Sequence, residues 1–138
     1  MPGFLLDTCV LSESRKKRAD SGVMAFLEKA DPSQLFISVL TVGEIHKGVA
    51  KKRLTDKGAA DEIAAWAIVI QHNFADHILN VDMRVGRLWG ELSGKRSSPV
   101  IDTIIAATAI VHGLAVVTRN TRDFVKTDAV LLNPWSGS

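Results

Sequence analysis

Phe4-Leu5-Leu6-Asp7-Thr8 is the stretch from which the rest of the chain can be read. Three large apolar residues lead into an acid and then a hydroxyl residue. So short a continuous apolar run predicts a strand buried on both faces, with parallel neighbours covered by helices. Asp7 then falls at the carboxyl end of that strand, where open α/β sheets bind ligands. A carboxylate at the lip of a buried strand is costly unless its charge is compensated. The compensating group is therefore the first thing to seek in the remaining sequence.

Outward from this strand, Val10 to Arg18 reads as a short helix or loop ending in a basic run. Asp20 and Ser21 supply helix-capping chemistry, Val23, Met24, Leu27 and Ala30 recur at helical spacing, and Pro32 stops the helix. Leu35 to Val39 is a second strand. Thr41 opens a helix with Val42, Ile45 and Val49 on its apolar face. After a polar turn from Leu54 to Gly58, Ala59 to Ala75 forms a long helix. Ile78 to Val81 is a third strand. Asp82 caps a helix with Val85, Leu88, Trp89 and Leu92 at i, i+3, i+4 and i+7. Ser93 to Ser98, with Gly94, Lys95 and Arg96, is a loop. Ser98-Pro99 starts a helix apolar almost all round, expected as the buried central helix, and Gly113 ends it. Leu114 to Thr118 is a fourth strand, Asn120 to Phe124 a loop or single helical turn, and Val130 to Leu132 a last short strand. Strands alternating with helices predict a three-layer α/β/α sandwich with a mainly parallel sheet.

A length of 138 residues, with 46% hydrophobic and 23% charged residues, predicts one soluble globular domain spanning 1–138. The net charge of +2 does not by itself announce a nucleic-acid binder. The basic residues are clustered, however, in Arg15-Lys16-Lys17-Arg18 and Lys51-Lys52-Arg53. These runs are either solvated surfaces or phosphate-facing patches. Cys9 is the single cysteine, so no intramolecular disulfide forms and a reducing compartment fits. It reads as a small buried apolar side chain. No signal peptide or membrane-length apolar segment is visible, and a cytoplasmic location is expected.

Asp102 stands out next, because it sits near the start of a helix that otherwise faces core. Complementing the helix N-terminus is one role for it, but an unpaired acid there is hard to justify. Glu44 fits a capping box from Thr41, and Asp123 alone would make an ordinary turn. Together the picture changes. Asp7 and Asp123 follow strands and Asp102 and Glu44 begin helices, so all four gather on one edge of a parallel sheet. Carboxylates gathered this way repel one another, and a hard divalent cation relieves the repulsion. Mg²⁺ is expected, with Mn²⁺ possible. Zinc fits worse, since His46, His72, His77 and His112 show no ligand spacing. An acid-held Mg²⁺ suits phosphodiester hydrolysis, because it activates water and neutralises charge on the phosphate.

Other doubly wound folds with an acid after the first strand fit less well. Haloacid-dehalogenase-type phosphatases want a second aspartate at the place of Cys9. Receiver domains want paired acids after strand one and a later lysine. No Gly-rich phosphate loop follows the first strand. In contrast, Leu5-Leu6-Asp7-Thr8-Cys9-Val10-Leu11-Ser12-Glu13, Thr41-Val42-Gly43-Glu44-Ile45, Asp102-Thr103-Ile104-Ile105-Ala106-Ala107-Thr108-Ala109 and Thr118-Arg119-Asn120-Thr121-Arg122-Asp123-Phe124 resemble the successive motifs of PIN-domain ribonucleases. The similarity is to the VapC and FitB-like toxins of type II toxin–antitoxin pairs. It runs along essentially the whole chain to Asn133-Pro134-Trp135.

The resemblance implies a Mg²⁺-dependent endoribonuclease acting as a toxin. Asp7 and Asp102 match the principal metal-binding aspartates, and Glu44 the family's glutamate. Asp123 is a further catalytic candidate. Thr8, Ser12, Thr118 and Asn120 would form the site rim. At the fourth acidic position FitB-like members can carry Asp where this chain has Asn120, while many VapC sequences carry Asn there and Asp at the place of Asp123. This departure puts a second metal in doubt. The resemblance also implies an RNA substrate, a homodimer, and an antitoxin whose C-terminal segment covers the acidic site. The competing reading is a catalytically weak PIN-like module that binds RNA or a partner without cutting. A third is action on DNA.

Overall fold

The computed structural model describes residues 3–95 and 97–137; Arg96, expected in a loop, lies outside them. Five strands form one sheet: β1 (Phe4–Leu6), β2 (Leu35–Ser38), β3 (Ile78–Leu79), β4 (Ala115–Val117) and β5 (Leu131–Leu132). The spatial order is β3-β2-β1-β4-β5, and every pairing is parallel. Six helices connect the strands. They are α1 (Thr8–Ser14), α2 (Ser21–Lys29), α3 (Val39–Arg53), α4 (Lys57–Asn73), α5 (Met83–Lys95) and α6 (Val100–His112).

Alternation along each strand divides the core in two. Leu6, Leu35, Ile37 and Val117 face one side, packing with Val10, Val23, Ile45, Ala67 and Ile70 of α1 to α4 and with Trp135. Leu5 and Val116 face the other, packing with Ile105, Ala106 and Ala109 of α6 and with Phe124. A period of two in a strand puts successive residues on opposite faces, so a doubly covered sheet needs apolar residues at both. Each fully buried Leu or Ile contributes about 1.5–3 kcal/mol. The three-layer α/β/α sandwich expected from the sequence is the observed fold.

Side chains start most of the helices. Asp20 accepts from Val23 N, Asp56 from Ala59 N and Asp82 from Val85 N. Gly113 ends α6 at φ +67°, a left-handed conformation that favours glycine. Strand β3 ends at Leu79 rather than Val81 and α4 runs two residues earlier than expected, and three larger details also differ from expectation. Helix α3 begins at Val39, with Ser38 as its cap, rather than at Thr41. Helix α5 continues through Lys95, where a loop was expected. Helix α6 is buried on one side only: Val100 is 58% and Ile101 38% exposed. It covers a sheet face and pairs with α5, so its apolar circumference does not make it central.

The strand order locates the site. Chain connections leave β1 toward β2 on one side and return to β4 on the other. The switch in direction falls between β1 and β4, and it opens a crevice beyond their carboxyl ends. Asp7 follows β1 at this crevice and Thr118 follows β4.

Candidate active site

Asp7 is held from several directions. Its backbone N–H donates to Val117 O at 3.0 Å, extending the β1–β4 ladder one residue past the strand. Its Oδ1 accepts from Thr8 N at 2.9 Å, which makes Asp7 the cap of α1. Its Oδ2 accepts from Thr118 Oγ1 at 2.9 Å and from Cys9 Sγ at 3.7 Å. The residue is 6% exposed. Thr118, fully buried, also accepts from Asn120 N at 3.0 Å and so ties the loop after β4 to the carboxylate. Cys9 is half-buried and sits 3.7 Å from Thr118 Oγ1 as well. Burial pushes its thiol up, against a hydrogen bond from the Arg119 backbone, and the Asp7 charge adds to the rise. Its packing role was legible in the sequence. Its contact with Asp7 was missed, although the i, i+2 spacing at a helix start was a usable signal.

Glu44 reaches the same place from α3. Thr8 Oγ1 donates to Glu44 Oε1 at 2.6 Å, so one threonine orients both Asp7, through its amide, and Glu44, through its hydroxyl. The capping-box alternative for Glu44 is overturned. Ser38 is the cap, accepting from Leu40 N at 3.0 Å, and Thr41 is buried within the first turn. Glu44 lies too far along α3 to reach back to the cap amide.

Asp102 lies in the first turn of α6, half-buried. Its carboxyl is pushed up to about 6, first by burial and then by the charges of Asp7, Asp123 and Glu44. Three acids from three other segments therefore act on Asp102 at the carboxyl edge of the sheet. Asp123 is exposed, in a 3-10 turn spanning Thr121–Asp123. Asn120 precedes that turn and meets the site through its backbone. Ser12, half-buried on α1, makes no hydrogen bond with the acids among the described residues.

Among the described residues, no three histidine, cysteine, aspartate or glutamate side chains stand close enough together to hold a metal ion as they are. The donor chemistry nevertheless fits a hard divalent cation. All the candidate ligands are carboxylate oxygens, and the burial of Asp102 beside the charges of Asp7, Asp123 and Glu44 disfavours its ionised form in a way that such a cation relieves. It does not fit zinc. His46 pairs with Gln71 at 2.9 Å, and His77 contacts Leu35 O at 2.8 Å beneath the opposite edge of the sheet. Among the described residues no helix is long and apolar enough to cross a membrane.

Comparison with known proteins agrees with this fold. The PIN-domain family pattern matches residues 4–130. The chain belongs to the PIN-domain family. It is 32% identical to the VapC ribonuclease Y4jK of Sinorhizobium fredii over 96% of this chain and 97% of that one. It is equally 32% identical to Toxin FitB of Neisseria gonorrhoeae, over 96% and 98%. Among solved structures, FitAcB from Neisseria gonorrhoeae superposes with a TM-score of 0.84 at 31% identity, covering 96% of this chain and 99% of that one. A toxin–antitoxin complex from Klebsiella pneumoniae superposes at 0.67 and 27% identity, covering 96% and 98%.

Proposed function

We propose that the protein is a divalent-metal-dependent endoribonuclease and the toxin of a type II toxin–antitoxin pair. The observation that carries the reading is the gathering of acids at the carboxyl edge of the sheet, where Thr8 joins Asp7 to Glu44 and the charges of Asp7, Asp123 and Glu44 reach Asp102. A protein that only bound a polyanion would gain nothing from gathering carboxylates where the polymer lies. The names of its relatives, VapC ribonuclease and Toxin FitB, support the same conclusion.

In this reading Asp7, Asp102 and Glu44 would hold Mg²⁺ or Mn²⁺. Such a cation supplies a water of lowered pKa and neutralises charge developing on the phosphate. The chain's part is to keep the acids in place. Thr8 and Thr118 fix both oxygens of Asp7, and Thr8 fixes Glu44. Asp102 is ionised above about pH 6, and below that protons would compete with the cation for it. Asp123 adds its charge at Asp102, Thr8 and Asn120 would line the rim, and Thr118 lies buried beneath it. The basic runs at Arg15 to Arg18 and Lys51 to Arg53 attract the RNA backbone. The antitoxin would cover the acidic site with its C-terminal segment, and the toxin would act as a homodimer. Structural relatives solved as toxin–antitoxin complexes support a partner of this kind.

The resemblance leaves a second reading, a module that binds without cutting, because it implies that FitB-like members can carry an acid at the place of Asn120. The test is cleavage of a mixed RNA panel by antitoxin-free protein, with Mg²⁺ and with EDTA, beside Asp7→Asn and Asp102→Asn. Metal-dependent cutting that both folded variants lose is expected. Folded native protein that cuts neither RNA nor single-stranded DNA with Mg²⁺ or Mn²⁺ overturns the nuclease reading.

A further inference from the structure

The loop after β4 encloses an open cleft of about 460 Å³ lined by Arg119, Asn120, Thr121, Arg122 and Asp123. Both ends of the loop are fixed. At one end Asn120 N donates to the buried Thr118 Oγ1, and at the other Phe124 is fully buried in the core. Between them Asp123 N donates to Asn120 O and Phe124 N to Thr121 O, each at 3.0 Å. The cleft is therefore shaped before any ligand arrives.

Its charge is unexpected beside four acids. Neither Arg119 nor Arg122 forms an ion pair among the described residues, although Asp123 shares their loop. Arg119 instead lies over the Trp135 ring, 5.5 Å from its centre, and Trp135 is only 7% exposed. Stacking on an anchored ring positions a guanidinium and leaves its N–H edge free to donate. That edge suits a phosphate, which accepts two parallel hydrogen bonds from arginine. The cleft is also close to the candidate active site. Two hydrogen bonds, Asn120 N to Thr118 Oγ1 and Thr118 Oγ1 to Asp7 Oδ2, join its wall to the central aspartate. Asp123 lines the cleft and also presses on Asp102, so it marks the border between the basic and acidic halves.

We propose that this cleft holds a backbone phosphate of the substrate RNA next to the one that is cut, with Arg119 as its main contact and Arg122 as its second. The assignment rests on the RNA-acting reading above and adds the residue that sets the strand's register against the acids. Trp135 is a positioning residue, acting through Arg119.

The experiment is fluorescence anisotropy of a labelled single-stranded RNA of mixed sequence with the full, antitoxin-free chain in EDTA, across a series of KCl concentrations. Arg119→Gln should weaken binding about tenfold, as expected for loss of a charged, paired contact. Its salt dependence should be shallower by about 0.7 in log–log slope, the value for one phosphate on a single strand. Arg119→Lys should restore the slope but not the whole affinity, and Lys29→Gln, on the far edge of the sheet, should match the native protein. With Mg²⁺ and a cleaved RNA, Arg119→Gln should raise KM and spare kcat, because a flanking contact is made equally before and during reaction. Unchanged affinity and slope in folded Arg119→Gln overturn the assignment, as does native protein that binds no RNA. Native protein that binds with an Arg119-dependent slope but never cuts supports the assignment and refutes the nuclease reading. Native protein that cuts while Arg119→Gln keeps its affinity, slope and KM does the reverse.

Discussion

Asp102→Asn should make the metal-free protein more stable while abolishing its activity. The native carboxyl titrates near 6 in the folded state, against 3.8 ordinarily. The folded state therefore binds more protons than the unfolded state between these values, and stability falls as pH rises through them. Two pH units correspond to a ceiling of about 3 kcal/mol at pH 7.5. Asp102 is only half-buried, so solvent screens part of this and about 1–2 kcal/mol remains. Asparagine keeps the shape and removes the charge. Thermal unfolding in EDTA at pH 7.5 should rise by about 3–6 °C in the variant, given the usual slope for a domain of this size. At pH 4.5 the native carboxyl is already protonated when folded, so the gap should shrink to about a third. Saturating Mg²⁺ or Mn²⁺ should raise the native Tm and leave the variant unmoved. A variant no more stable at pH 7.5, or a gap indifferent to pH, would refute the argument that burial and neighbouring charge raise the Asp102 carboxyl.

Thr118→Val removes the donor to Asp7 and the acceptor for Asn120 without changing volume. It should cost about 1–3 kcal/mol in denaturant unfolding and weaken divalent-ion binding, while Thr118→Ser keeps most of both. Asp20 is held down to about 2, chiefly by the Ser136 side chain and amide and by the Val23 amide. Its stabilisation is full above about 4 and is lost as pH falls through about 2, so Asp20→Ala should flatten the acid limb of a stability–pH curve in that window. Two glycines on helices should respond with opposite sign. Gly48→Ala on α3 meets nothing and should stabilise by about 0.5–1 kcal/mol. Gly22→Ala on α2 drives a methyl into Pro134 O and to 2.7 Å from Ser136 N, and should destabilise by about 1–3 kcal/mol in the same unfolding assay.

The parts of the fold legible in the sequence were those governed by local pattern. Leu5-Leu6 and Val116-Val117 are continuous apolar runs, and a doubly covered strand is the only short element that buries them fully. The start of α3 was hidden because Val39 and Leu40 prolong such a run, so the strand seemed to continue where Ser38 already caps a helix. The exposed side of α6 was hidden for a related reason. Hydrophobicity tells how much of a helix can be buried, and the partner that would cover Val100 and Ile101 is not encoded in their spacing. The acids of the site could be grouped from topology alone, because strand ends and helix starts share one edge. The threonines that orient them are different. That Thr8 meets Glu44 and Thr118 meets Asp7 depends on register between distant segments. The stacking of Arg119 on Trp135 has no local signature at all.

The long reach of the Thr118 to Asp7 hydrogen bond has a consequence for the protein's making. Its partners lie 111 residues apart, and the intervening chain must be built before they meet. At a synthesis rate of about 5–20 residues per second, Asp7 leaves the ribosome roughly 5–20 s ahead of the threonine that holds it. Asp102 and Asp123 arrive just as late. A nascent chain thus carries an acid without a site until almost the last of the chain has been translated.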